Sequence, residues 1–226
     1  MAGDLDGAAP LLERAAVRDP DDEVASLRLS ILEHLRDSGG TYSDYLARPA
    51  DREELDRLAD DEDWEAVEEL CSEYNRDRLG AWIQDMLVAE DVARLTDRVS
   101  TLVGFFNFVS GLSQGPYLLH EYLDFFEARL EAILHKFVFK FGDVDEKMID
   151  ELHDALCSFF GCMASKGVVR PGELQDFVSG FEELKPTILD KMKRYNAVRH
   201  DPDLDEAELE AIREEIFEGD HLWPFL

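Results

Sequence analysis

Positive charge is scarce in this chain. Its 226 residues carry 23 Lys and Arg against 52 Asp and Glu, a net charge of −29, and only seven of the bases are lysines. A charge of this size repels nucleic acid in dilute buffer, but much less in molar salt, where the Debye length is about 3 Å. Cysteine is scarce too. Cys71, Cys157 and Cys162 are an odd three, which excludes a disulfide framework and points to a reduced, intracellular protein. The opening stretch MAGDLDGAAP is acidic and lacks the apolar centre of a secretion signal, so a cytoplasmic location is expected. Strand signals are nearly missing: no Val/Ile/Thr-rich alternation and no Asn-Gly hairpin pair. The one long uncharged run, the 22 residues from Val99 to His120, contains Asn107, Ser110, Ser113 and Gln114 and ends near Gly115-Pro116. Those polar groups argue against a membrane span and for a centrally buried helix.

What is present is helical periodicity. Val92, Leu95, Val99, Leu102, Phe106 and Val109 step by threes and fours. So do Leu119, Tyr122, Phe126, Leu130, Ile133, Phe137 and Phe141, then Met148, Leu152, Leu156, Phe159 and Met163. A last stripe runs through Leu174, Phe177, Phe181, Leu184, Ile188, Met192 and Tyr195. Gly115-Pro116, Gly142-Asp143, Gly167 and Pro171-Gly172 separate the stripes with helix-stop chemistry. Pro186 predicts a kink or a restart in the last one. DPDLDE (201–206) predicts the N-cap of a final acidic helix, about Asp205 to Glu218. Before residue 88 the spacing predicts shorter helices over Val24–Leu35, Glu53–Leu58, Trp64–Tyr74 and Leu79–Leu87. The expected fold is all-α: an antiparallel helical bundle over 89–226 carrying an N-terminal acidic helical extension over 1–88.

The acids are spread evenly, with 27 of the 52 in residues 1–100. An even spread, with Arg preferred to Lys, is the composition expected of a halophilic organism's cytoplasm. The competing reading is a specific acidic surface that mimics nucleic acid or decoys a basic partner.

Catalytic motifs are mostly excluded by spacing. His153, Cys157 and Cys162 lie along one helix, but a structural zinc site takes four ligands and no second pair follows, so no metal is expected. Asp150-x-x-His153 finds no matching Glu-x-x-His, since Glu131 and His135 are four apart. DPDLDE opens like a calcium loop, yet Glu206 and Ile212 stand where Gly and Glu are needed. Phosphate-binding glycine loops, nucleophile elbows and HExxH are absent, and no cofactor is expected.

One segment reverses the charge. Lys185, Lys191, Lys193, Arg194 and Arg199 stand against the single acid Asp190 before His200. Cations at a helix C-terminus complement its dipole, which accounts for the charge without any function. The residue types add more. Arg194-Tyr-Asn196-Ala-Val-Arg199-His200 resembles the active-site motif of the HEPN superfamily, small all-helical domains of toxin, defence and RNA-processing proteins. In that motif four to six residues separate an Arg from a His, commonly with a polar residue, often Asn, just after the Arg. Here five residues intervene, and Asn196 stands two places after Arg194 rather than next to it. Arg28–His34 and Arg129–His135 share the spacing within amphipathic helices; the Asn, the nearby bases and the helix end single out the third pair. The resemblance covers about Pro116 to Phe217.

It implies metal-independent RNA cleavage, with RNA as partner and a homodimer as the working unit. His200 would be the general acid or base and Arg194 the holder of the scissile phosphate. Asn196 would orient them, and Lys191, Lys193 and Arg199 would be nucleic-acid-binding residues on the backbone phosphates. The alternative is a non-catalytic helical protein–protein interaction protein, whose Phe-rich faces and C-terminal HLWPFL (His221 to Leu226) bind a protein partner.

Overall fold

The computed structural model describes residues 23–89, 92–112, 117–141 and 146–217, with isolated positions 10, 14, 17 and 18 before them. The chain is all-α. Nine long or short α-helices occur among the described residues: α1 (Glu23–Ser38), α2 (Tyr42–Leu46), α3 (Arg52–Asp60), α4 (Trp64–Ala89), α5 (Val92–Ser110), α6 (Tyr122–Phe141), α7 (Glu146–Ser165), α8 (Pro171–Val198) and α9 (Glu206–Phe217). A 3-10 turn, Leu119–Glu121, leads into α6. The HLWPFL tail lies outside the described residues.

Local chemistry sets most of the ends. Thr41 and Asp44 form a capping box on α2, and the Asp51 side chain accepts from Glu54 N at the start of α3. Gly167, at φ +74, closes α7, with Val168 N donating to Met163 O. Pro171 opens α8. At α9, Asp205 Oδ1 accepts from Glu208 N, while Glu208 Oε2 accepts from Asp205 N, so DPDLDE is the capped helix start that its spacing predicts.

Two helices run through predicted interruptions. The expected helices at Trp64–Tyr74 and Leu79–Leu87 are one, α4, which runs on through residues 75–78 and contains Gly80. A glycine in a helix interior costs about 1 kcal/mol relative to alanine. Here its bare Cα lets α2 approach, since a Cβ at residue 80 would meet Leu46 Cδ1 at 3.3 Å. Likewise α8 continues through Pro186 rather than restarting. Both local penalties are offset by packing, because the apolar residues on either side face one core.

That core is aromatic. Phe105, Phe106 and Phe108 of α5, Phe126 and Phe137 of α6, Phe159 and Phe160 of α7, and Phe177 and Phe181 of α8 are all buried in it. Their rings meet mostly edge to face, as in Phe105–Phe137 at 5.4 Å, Phe106–Phe159 at 5.5 Å and Phe160–Phe177 at 5.5 Å. Packing runs across residue 88. Trp82 of α4 is fully buried, meets Phe159 edge-on at 6.0 Å, and donates from Nε1 to Ser158 Oγ at 2.9 Å. Lys166, just after α7, adds a polar tie to Asp44 on α2 (2.9 Å) and Asp85 on α4 (3.2 Å). Its hydrogen bond, with those of Thr41, pulls the Asp44 carboxyl down to about 2. A smaller cluster, Leu55, Leu58, Val67, Cys71, Tyr74 and Leu118, joins α3, α4 and the segment before the 3-10 turn.

Candidate functional site

The basic segment fans out around α8 instead of presenting one surface. Successive helical residues turn by about 100°, so Lys191 and Lys193 point nearly opposite ways. Lys191 is buried, its Nζ 3.1 Å from His135 Nε2 and 3.6 Å from Glu131 Oε1 on α6. Lys193 is exposed and borders a surface groove with Glu146, Glu182, Lys185 and Asp190. Arg194 reaches across to α9, where its Nη2 donates to Glu215 Oε1 at 2.8 Å. Asn196 is exposed; Arg199 is half-buried at the helix C-cap, its N donating to Tyr195 O. His200 stands exposed in the turn beyond. Arg194, Asn196, Lys193 and His200 therefore share an exposed helix end, while Lys191 is turned inward and Arg194 is held by a carboxylate.

Four of the cavities on the described surface have no lining from Arg194, Asn196 or His200. The groove between α6 and α8 is small, about 140 Å³, with Phe126 and Phe177 as floor and Asp124, Glu127, Glu173 and Asp176 around it. Among the described residues no group of three or more His, Cys, Asp and Glu side chains is placed to hold a metal ion. Cys157 Sγ lies 3.3 Å from His153 Nε2 within the helix. Burial pushes the Cys157 thiol up to about 11 and the Cys162 thiol up to about 12, so neither is a ready nucleophile.

The roomiest of the four, about 850 Å³, is a cleft between α4, α5 and the strap that leads into α6. Its existence corrects one expectation. The uncharged run beginning at Val99 reads as a centrally buried helix, but α5 buries one side only, and Val103, Asn107 and Ser110 line the cleft with the other. Asn75 of α4 clamps the strap in place. Its Nδ2 donates to Tyr117 O (2.8 Å) and its Oδ1 accepts from Leu119 N (2.7 Å). Tyr117 is thereby set in the cleft wall against Tyr122, ring centroids 5.8 Å apart. Leu79, Ile83 and Phe106 supply further apolar wall, and only Glu68 and Arg76 among the lining residues are charged. In a chain one-third charged, this is a neutral window.

The periodicity of α4 held a signal for this region that the charge segment at α8 obscured. Val67, Cys71, Tyr74, Arg78 and Trp82 step by four, three, four and four, which places an arginine in an apolar stripe. The structure buries that arginine to 1% exposure. No helix among the described residues is long and apolar enough to cross a membrane. Comparison with protein-family models, with curated proteins and with solved structures finds no match for the chain.

Proposed function

We propose that this chain is a non-catalytic helical binding protein whose α4–α5 cleft takes an apolar, aromatic-bearing segment of a basic protein. The observation that carries this reading is the neutral, largely apolar lining of a cleft of about 850 Å³ in a protein of net charge −29. The apolar walls supply the contact area. The surrounding negative field favours a ligand segment flanked by Lys and Arg and repels an acidic one.

Selection of displayed random peptides against the full chain tests this. Enriched sequences are expected to hold an aromatic or aliphatic centre between basic flanks. Val103→Glu, which puts a carboxylate into the cleft at a half-buried position, should weaken a selected peptide at least tenfold. Lys193→Glu, on α8, should leave its affinity unchanged. Peptides without that bias, or an unchanged affinity in Val103→Glu, would sink the reading.

A second reading is the HEPN-like ribonuclease, favoured by the exposure of Lys193, Arg194, Asn196 and His200 at one helix end. RNA incubated with the full chain in high salt and EDTA decides it. Cleavage leaving cyclic phosphate ends, lost in both His200→Ala and Arg194→Ala, is its expected result. Intact RNA with the wild type removes it.

A further inference from the structure

The seam between α6, α8 and α9 holds a buried polar group that neither reading above uses. His135 of α6 and Lys191 of α8 are both buried, and His135 Nε2 lies 3.1 Å from Lys191 Nζ. An ammonium can only donate, so Nε2 is the accepting nitrogen and the imidazole is neutral, with its proton on Nδ1. Phe217, at the end of α9, closes the seam. Its ring meets His135 edge-on at 5.9 Å and Tyr195 of α8 edge-on at 5.5 Å.

Acid cannot protonate this ring and keep the arrangement. A proton on Nε2 removes the acceptor of Lys191 and sets a second cation 3.1 Å from the ammonium. The charged groups around the pair come from all three helices. On α6, Glu131 Oε1 lies 3.7 Å from His135 Nε2 and 3.6 Å from Lys191 Nζ, and Lys136 is a further buried ammonium. Arg194 of α8 pairs with Glu215 of α9, and Arg213 of α9 pairs with Glu206 and Glu210. Glu131 is thus shared by both groups, and one half-exposed carboxylate does not offset two cations buried in contact.

The element that yields is α9. It has 12 residues, too few for a helix to be stable alone. Among the described residues it buries only Ile216 and Phe217, with Leu209 and Ile212 partly covered. Lifting it takes Phe217 off the imidazole and lets water reach both cations. We infer that His135 and Lys191 form an acid-sensitive latch: neutral His135 holds α9 against α6 and α8, and its protonation releases α9 and frees Arg194 from Glu215. The latch is independent of the α4–α5 cleft, whose lining includes no residue of α8 or α9. In the released form the ring takes its proton near the ordinary value of about 6.5, whereas the closed form must first give up the Lys191 bond. The closed form is therefore fully favoured above about pH 6.5 and loses up to about tenfold against the released form for each pH unit below it.

Hydrogen exchange of the full chain, read by mass spectrometry at pH 7.5 and pH 5.0 with labelling times corrected for the intrinsic pH dependence, tests this. The amides of α9 should lose protection by about tenfold or more at pH 5.0, while those of α7 keep theirs. His135→Gln still offers Lys191 an acceptor and cannot take up the proton, so α9 should be equally protected at both pH values. Lys191→Met leaves Glu131 to pair with the imidazolium and should shrink the loss to less than about threefold. His200→Gln, in the turn before α9, should keep the full loss. Wild-type protection of α9 that is unchanged at pH 5.0, a loss that α7 shares, or a loss of undiminished size in His135→Gln or Lys191→Met would overturn the latch. A readout that needs no variant is the ¹⁵N spectrum of the histidine rings in the wild type. One ring, in the Nδ1–H tautomer at pH 7.5, should become charged over the same pH range in which α9 loses protection; charging of that ring while α9 stays protected also overturns the latch.

Discussion

Trp82→Ala should lower the free energy of unfolding by about 4 kcal/mol, the expected loss for a large aromatic removed from a closed core. Three separate effects fall on this one side chain. Its ring is fully buried and meets Phe159 edge-on, so truncation leaves a cavity lined by aromatic groups that cannot collapse. Its Nε1 donates to Ser158 Oγ, which in turn faces Met86 Sδ at 3.4 Å, so the serine loses its donor. And it links α4 to α7 across residue 88. Trp82→Phe separates the effects: it keeps most of the ring, loses the N–H, and should cost about 1–2 kcal/mol. Urea unfolding followed by far-UV circular dichroism and by fluorescence is the measurement. Both probes should report a single transition moved to lower urea. A first transition that shifts while a second keeps its midpoint would mean that α4 is not joined cooperatively to α5–α8. A loss below about 1 kcal/mol would mean that the Trp82–Phe159 contact is not a packed one.

The stripes of the four long helices were legible because burial follows period. Phe177, Phe181, Ile188, Met192 and Tyr195 are buried as their spacing requires, and Leu152, Leu156, Phe159 and Met163 likewise. The interruptions were less legible, since glycine and proline report local cost while tertiary contact decides the outcome. Gly80 lies inside an expected helix, and its role appears only once Leu46 is seen to press against it. The cleft was hidden for a different reason. Val103, Asn107 and Ser110 sit at helical positions that a sequence cannot distinguish from a thinly buried face, and Asn75 looks like any polar residue of an exposed side until the strap it holds is in place. The basic segment was conspicuous by charge and by the Arg194–His200 motif. Its members sit on different sides of α8, which a count of charges along the chain does not reveal. Arg78 and Lys191 carry the opposite lesson: each is a cation at a core position of its stripe, and each is buried.

His120→Gln should flatten the acid side of the stability curve. Burial holds the His120 imidazole down to about 4, and the Arg78 charge, with that of Arg52, acts in the same direction, while Glu121 and Glu173 oppose it. An unfolded chain protonates the same ring near its ordinary value of about 6.5. Between those two values the unfolded state binds the extra proton, so it gains on the folded state as the solution is acidified. The stability lost between about pH 6.5 and pH 4 amounts to about 3 kcal/mol from this group alone, and is fully present above pH 6.5. Glutamine cannot take up that proton, so the variant should lack this part of the slope. Urea unfolding of both chains at pH 7.5, 5.5 and 4 measures it, because the protonation of carboxylates common to both cancels in the difference. Parallel losses would show that His120 is not kept neutral by its surroundings.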